Sequence, residues 1–160
     1  MTSDNPTTEQ SDITVNDLLR HFLAAAKYRA GKALNGASIE FGDFATGQGM
    51  RSPCDLLRHM TEVIGRTAAA LSDGRFHQEA PGPLRTEQSR FEHALETLAG
   101  CLTEHQIPPD VTKRILQGPL ADVMTHVGQL ATLRRLAGSP ISSENFYAAA
   151  IDATDLGSAI

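Results

Sequence analysis

Apolar residues in this chain recur at every third or fourth position through four long stretches, and nowhere do they alternate with polar ones. That period builds one apolar stripe on a helix, whereas a half-buried strand needs a period of two. The first stretch opens at Thr14, where Thr14 and Asp17 stand three apart as a capping box, and it carries Val15, Leu18, Leu19, Phe22, Leu23 and Ala26 on one face. Asn35-Gly36 ends it, and a glycine-rich loop, Gly36 to Arg51, follows. Ser52-Pro53 then opens a second helix, with Ser52 as the cap and Pro53 in the first turn. Its stripe is Leu56, Leu57, Met60, Val63, Ile64 and Leu71.

A Pro-Gly-Pro turn at Pro81–Pro83 precedes a third stripe of Phe91, Ala94, Leu95, Leu98 and Leu102. Pro108-Pro109-Asp110 starts a short helical piece, and Gly118-Pro119 reads as a fresh start with Pro119 in the first helical position. The last stripe is Leu120, Val123, Val127, Leu130, Leu133 and Leu136, stopped by Gly138 and Pro140. Four amphipathic helices predict an all-α four-helix bundle over residues 14–138, and the long first loop predicts one crossover connection. Residues 1–13 read as a disordered polar leader, and residues 139–160 as an extension or tail.

Composition narrows the function classes. Fourteen Lys and Arg against nineteen Asp and Glu give a net charge of −5, aromatics are 5% and Trp is absent. Such a chain lacks the phosphate-neutralising charge and the stacking surface that nucleic-acid binding needs. No apolar run spans a bilayer, and Cys54 and Cys101 form neither a disulfide framework nor a CxxC pair, so a cytoplasmic setting is expected.

Two segments share one internal logic. Asp55 stands four residues before His59 in the second helix, and Asp122 stands four before His126 in the last. Each pair therefore lies on one helical face. His59 sits on the stripe of Leu56, Met60 and Val63, and His126 on that of Val123, Val127 and Leu130, so both imidazoles point toward the bundle axis. Imidazole and carboxylate from facing helices suit a divalent Zn, Ni, Fe or Mn ion. The plainer reading is that each histidine is a hydrogen-bonded core residue and that Asp55 serves the helix N-terminus. Gln129, one turn past His126, reads as a packing amide beside Gly128 or as an orienter of a ligand. His21, beside Leu18 and Phe22 on the first helix, reads as an edge histidine or as lining the same cavity; His77, His93 and His105 fall in loops or off the stripes, Cys54 reads as a small packing residue, and Arg58, Arg134 and Arg135 are candidates to attract an anionic substrate.

The segment Gly118–Ser139, GPLADVMTHVGQLATLRRLAGS, resembles the last bundle helix of the DinB-like superfamily, in which two histidines stand four apart and the second is followed by x-Gly-Gln. His126-Val127-Gly128-Gln129 matches that second position. Ser52–Val63, SPCDLLRHMTEV, is similar to the superfamily's second helix, where Leu-Leu-x-His supplies the first ligand; His59 matches. The position four before His126 departs from the pattern, being Asp122 instead of histidine.

The superfamily includes damage-inducible DinB proteins and thiol-dependent transferases and isomerases. The resemblance accordingly implies a His59–Asp122–His126 divalent metal site, a small-molecule substrate and a homodimer. It implies a metal-dependent hydrolase or low-molecular-weight-thiol transferase. The alternative is a degenerate, non-enzymatic bundle that binds a ligand or dimerises, which the Asp122 departure and the lack of a clear nucleophile favour. A ferritin-like di-metal oxidase is disfavoured because no helix carries Glu-x-x-His.

Overall fold

The computed structural model describes residues 12–157; the bulk of the expected leader, residues 1–11, and the last residues of the tail, 158–160, lie outside the described residues. Helix α1 runs Val15–Leu34, α2 Pro53–Leu71, α3 Leu84–Glu104, α4 Pro109–Ile115 and α5 Ala121–Leu136, and no strand occurs among the described residues. The expected bundle is present, formed by α1, α2, α3 and α5.

The caps read from sequence hold in detail. Asp17 N–H donates to the Thr14 hydroxyl at 3.1 Å while the Asp17 carboxylate accepts from Thr14 N–H at 2.9 Å, closing the capping box. Asp55 N–H donates to Ser52 Oγ at 3.2 Å, with Pro53 in the first turn of α2. The stripe of α1 is rotated from the expected one. Val15 and Leu18 are exposed, and the buried line is Leu19, Leu23, Ala26, Ala30 and Ala33. The alanines set this line: their small side chains let neighbouring helices approach the C-terminal half of α1, and that contact fixes which face turns inward.

Each long helix packs substantially on two others. Helix α1 lies against α3 and α5, and α2 lies against α3 and α5, so α1 and α2 sit on one diagonal and α3 and α5 on the other. Two connections therefore cross the bundle, α1 to α2 and α3 to α5, where the sequence suggested one. This order makes α2 and α5 neighbours. The core between the helices is aliphatic, with Leu23, Leu57, Met60, Ile64, Leu95, Leu98 and Leu130 fully buried around Phe91.

Pro119 does not open a new helix. It lies inside a π turn, Leu116–Leu120, that joins α4 to α5 without a break, and Ala121 N–H reaches back to Leu116 O. The wider i→i+5 register absorbs a proline whose missing N–H would interrupt an α-helical ladder. Leu136 is also exposed, because α5 ends beside it and Gly138, at φ 76°, turns the chain away.

Two segments outside the helices are anchored. In the first loop, a 3-10 turn at Ile39–Asp43 buries Phe41 and sets Gly42 so close to α2 and α3 that a Cβ there would stand 2.7 Å from Cys54 Sγ. In the C-terminal extension, Tyr28 Oη donates to Glu144 at 2.6 Å, Lys32 pairs with the same carboxylate, and Phe146 stacks edge-on against Tyr28. Lys27 Nζ donates to Asp155 O at 2.8 Å, and Leu156 is buried. Through Leu156 the extension is docked along α1.

Candidate metal centre

The proximity of α2 and α5 brings the three expected residues together. One donor atom each from His59, Asp122 and His126 lies within 4.8 Å of the others. His59 Nε2 is 3.1 Å from Asp122 Oδ2, and His126 Nε2 is 3.4 Å from Asp122 Oδ1. The two imidazoles meet edge to face with centroids 4.9 Å apart. Ligands about 2.1 Å from a tetrahedral ion stand roughly 3.4 Å from one another; each imidazole lies at about that distance from a different oxygen of Asp122, and one atom from each residue lies within 4.8 Å of the others. His126 is buried and His59 half-buried, while the Asp122 side chain keeps 41% of its surface in solvent. The cluster is open on that side.

Gln129 decides how His126 presents itself. Its Oε1 accepts from His126 Nδ1 at 2.7 Å, which leaves the lone pair of the neutral ring on Nε2. That lone pair faces a carboxylate oxygen of Asp122. Asp122 thus stands between the two imidazoles with one carboxylate oxygen toward each Nε2, a position where a proton on a ring or a cation among the three satisfies it. Two nitrogens and a carboxylate, with one ring oriented by an outer partner and one side open, form a donor set for a borderline divalent ion.

Asp55 does not join the cluster. It is exposed and accepts from Ser52 Oγ at 2.8 Å, the helix-end role that the plainer reading assigned it. His21, His77, His93 and His105 are exposed and apart from the site. Of the candidate arginines, Arg58 turns to Glu87 and the Glu79 carbonyl, at 3.5 and 3.2 Å. Arg134 is buried, clipping Ser139 O at 2.8 Å and Ser139 Oγ at 3.0 Å with its guanidinium over Phe41. Neither serves the metal cluster. Burial pushes the Cys54 thiol up to about 11, with the charge of Asp43 adding to the effect, and burial raises Cys101 as well. Both thiols stay protonated near neutral pH, as packing residues do.

Sequence reasoning offered Gln129 as an orienter, and its contact with His126 had a signal, the i, i+3 spacing, although which ring nitrogen it meets did not. The rim formed by Met50 and Arg51 had none, because only the folded loop carries those residues to His126.

Against models of known protein families, curated proteins and solved structures, the chain finds no match.

Proposed function

We propose that this chain is a metal-dependent enzyme of the DinB-like type, either a hydrolase or a transferase that works through a low-molecular-weight thiol. His59, Asp122 and His126 would hold a divalent Zn, Ni, Fe or Mn ion. The observation that supports this most is the convergence of three electron-pair donors from α2 and α5 with no cation of the chain's own among them. Bound there, such an ion supplies a Lewis acid that lowers the pKa of a water or thiol and so makes a nucleophile available near neutral pH.

The chain's own residues do the positioning. Gln129 keeps His126 in the tautomer whose Nε2 can ligate. Leu56 and Met60, close to His59 along α2, are buried, and the part-exposed side chain of Asp122 leaves the cluster open to solvent. Because Cys54 and Cys101 are held protonated, a thiol taking part in the reaction would come from the co-substrate. No helix among the described residues is long and apolar enough to cross a membrane, and a cytoplasmic homodimer acting on a small molecule, without nucleic acid, completes the reading.

A second reading is a bundle that has lost catalysis and binds a ligand or a second copy. It is favoured by Asp122 in place of the superfamily's histidine and by the absence of a nucleophilic side chain in the cluster. Metal analysis of protein purified without chelator or metal-affinity steps separates the two. The enzymatic reading predicts close to one divalent ion per chain, removable by chelation and restored by zinc or nickel. Protein that is metal-free and gains no thermal stability on adding either ion would support the second.

A further inference from the structure

The loop that leads into α2 makes an unusual turn beside the candidate site. Gly47, Gln48 and Gly49 have φ of 78°, 57° and 74°, three successive residues in the left-handed region. A Cβ at Gly47 or Gly49 would meet nothing, so glycine is favoured there by backbone conformation and not by lack of space. The turn is closed by Met50 N–H on Gly47 O at 3.2 Å. It delivers Met50 and Arg51 to a cleft of about 330 Å³ whose other walls are Gly49, Leu56, His126 and Gln129. The cleft thus shares His126 with the metal centre.

Charge within the cleft runs against that of the chain. The protein carries −5 overall, yet no acidic side chain lines this cleft, and its one permanent charge is the Arg51 guanidinium. Arg51 is exposed and forms no ion pair among the described residues. Arg58 and Arg90, by contrast, are both engaged with Glu87. A planar guanidinium with free donors matches a carboxylate in a two-point fork. With a single cation present, a monoanion is matched better than a phosphate dianion. Met50, 45% exposed, offers apolar contact to a short carbon skeleton between the two ends.

We infer that this cleft is the substrate subsite of the proposed metal centre, and that Arg51 binds the carboxylate of a small molecule whose reacting end lies at His126. The inference rests on the metal-centre reading. It makes Arg51 a specificity-determining residue and small carboxylates the substrate class.

Cobalt-loaded protein tests it without knowledge of the reaction, because thiol ligation to cobalt gives a charge-transfer absorption band. Titration with 3-mercaptopropionate and with its neutral analogue 3-mercaptopropionamide compares the same thiol with and without the anion. The wild type is expected to prefer the carboxylate by about tenfold or more, the size of a charge-assisted hydrogen bond. Arg51→Gln should bind cobalt as the wild type does and show equal affinity for the two thiols, while Arg51→Lys should restore part of the preference. Equal affinities in the wild type, or a preference that survives Arg51→Gln, would overturn the assignment of Arg51 alone. Failure to bind cobalt at all would overturn the metal centre and this subsite with it.

Discussion

Two polar clusters flank α2, and they are built in opposite ways. On the α3 side, Glu87 is buried and three donors of the chain converge on its Oε1. Its carboxylate accepts from Gly82 N–H at 2.6 Å and from Arg90 at 2.9 Å, with Arg58 at 3.5 Å. Arg90 also donates to Ala80 O at 2.8 Å and pairs with Glu79. On the α5 side, His59, Asp122 and His126 bring lone pairs and negative charge together with no lysine or arginine among them. The first cluster carries its own cations and holds the polar connection at residues 79–82 onto α3. The second gathers donor atoms that could hold a cation. A buried carboxylate surrounded by donors is therefore explained by stability, whereas imidazoles and a carboxylate that converge without a lysine or arginine make a candidate ligand site.

Substitutions sharpen the contrast. Glu87→Ala should cost about 3 kcal/mol in urea unfolding and leave zinc affinity unchanged, at the low end for breaking a buried pair because both arginines keep part of their surface in water. His126→Ala should reverse the pattern. Zinc affinity should fall by more than the roughly 10–100-fold typical of removing an outer partner, and the zinc-dependent rise in Tm should vanish. Metal-free His126→Ala should lose only about 1 kcal/mol, the value of one hydrogen bond. If it instead unfolds as readily as Glu87→Ala with no dependence on metal, His126 is a core residue and the contrast fails. Gln129→Ala should weaken zinc binding by about tenfold by freeing the ring tautomer, a smaller effect read in the same titration. The smallest effect is that of Asp122→Asn on the metal-free protein, whose stability should stay within about 0.5 kcal/mol because the side chain keeps 41% of its surface in solvent and asparagine preserves its shape.

Much of this architecture was legible before folding, for a local reason. Ser52-Pro53 and Thr14/Asp17 act within one helical turn, and the structure keeps both. Asp122 and His126 share a face whenever α5 is helical, and His59 faces inward because its neighbours Leu56 and Met60 do. What escaped depended on distant contacts. The rotation of α1 was set by which neighbours pack against its alanines, so Val15 and Leu18, the bulkier residues, misled the stripe. Pro119 carries the same residue code at a helix start and inside a π turn, and only the hydrogen-bond register tells them apart. The second diagonal connection, which makes α2 and α5 neighbours, has no signature in α4 itself. The selection of Asp122 over Asp55 as the third member follows from Ser52 engaging Asp55 and from the approach of α5.

Calorimetric titration of zinc into metal-free wild type, alongside His59→Ala and Asp122→Asn, tests the claim that these three side chains form one metal centre. The wild type should bind one zinc ion per chain, with protons released as water or imidazole gives way to the ion, and each variant should lose most of that affinity. A wild type that binds no zinc, or that binds it as tightly after either substitution, would contradict the account.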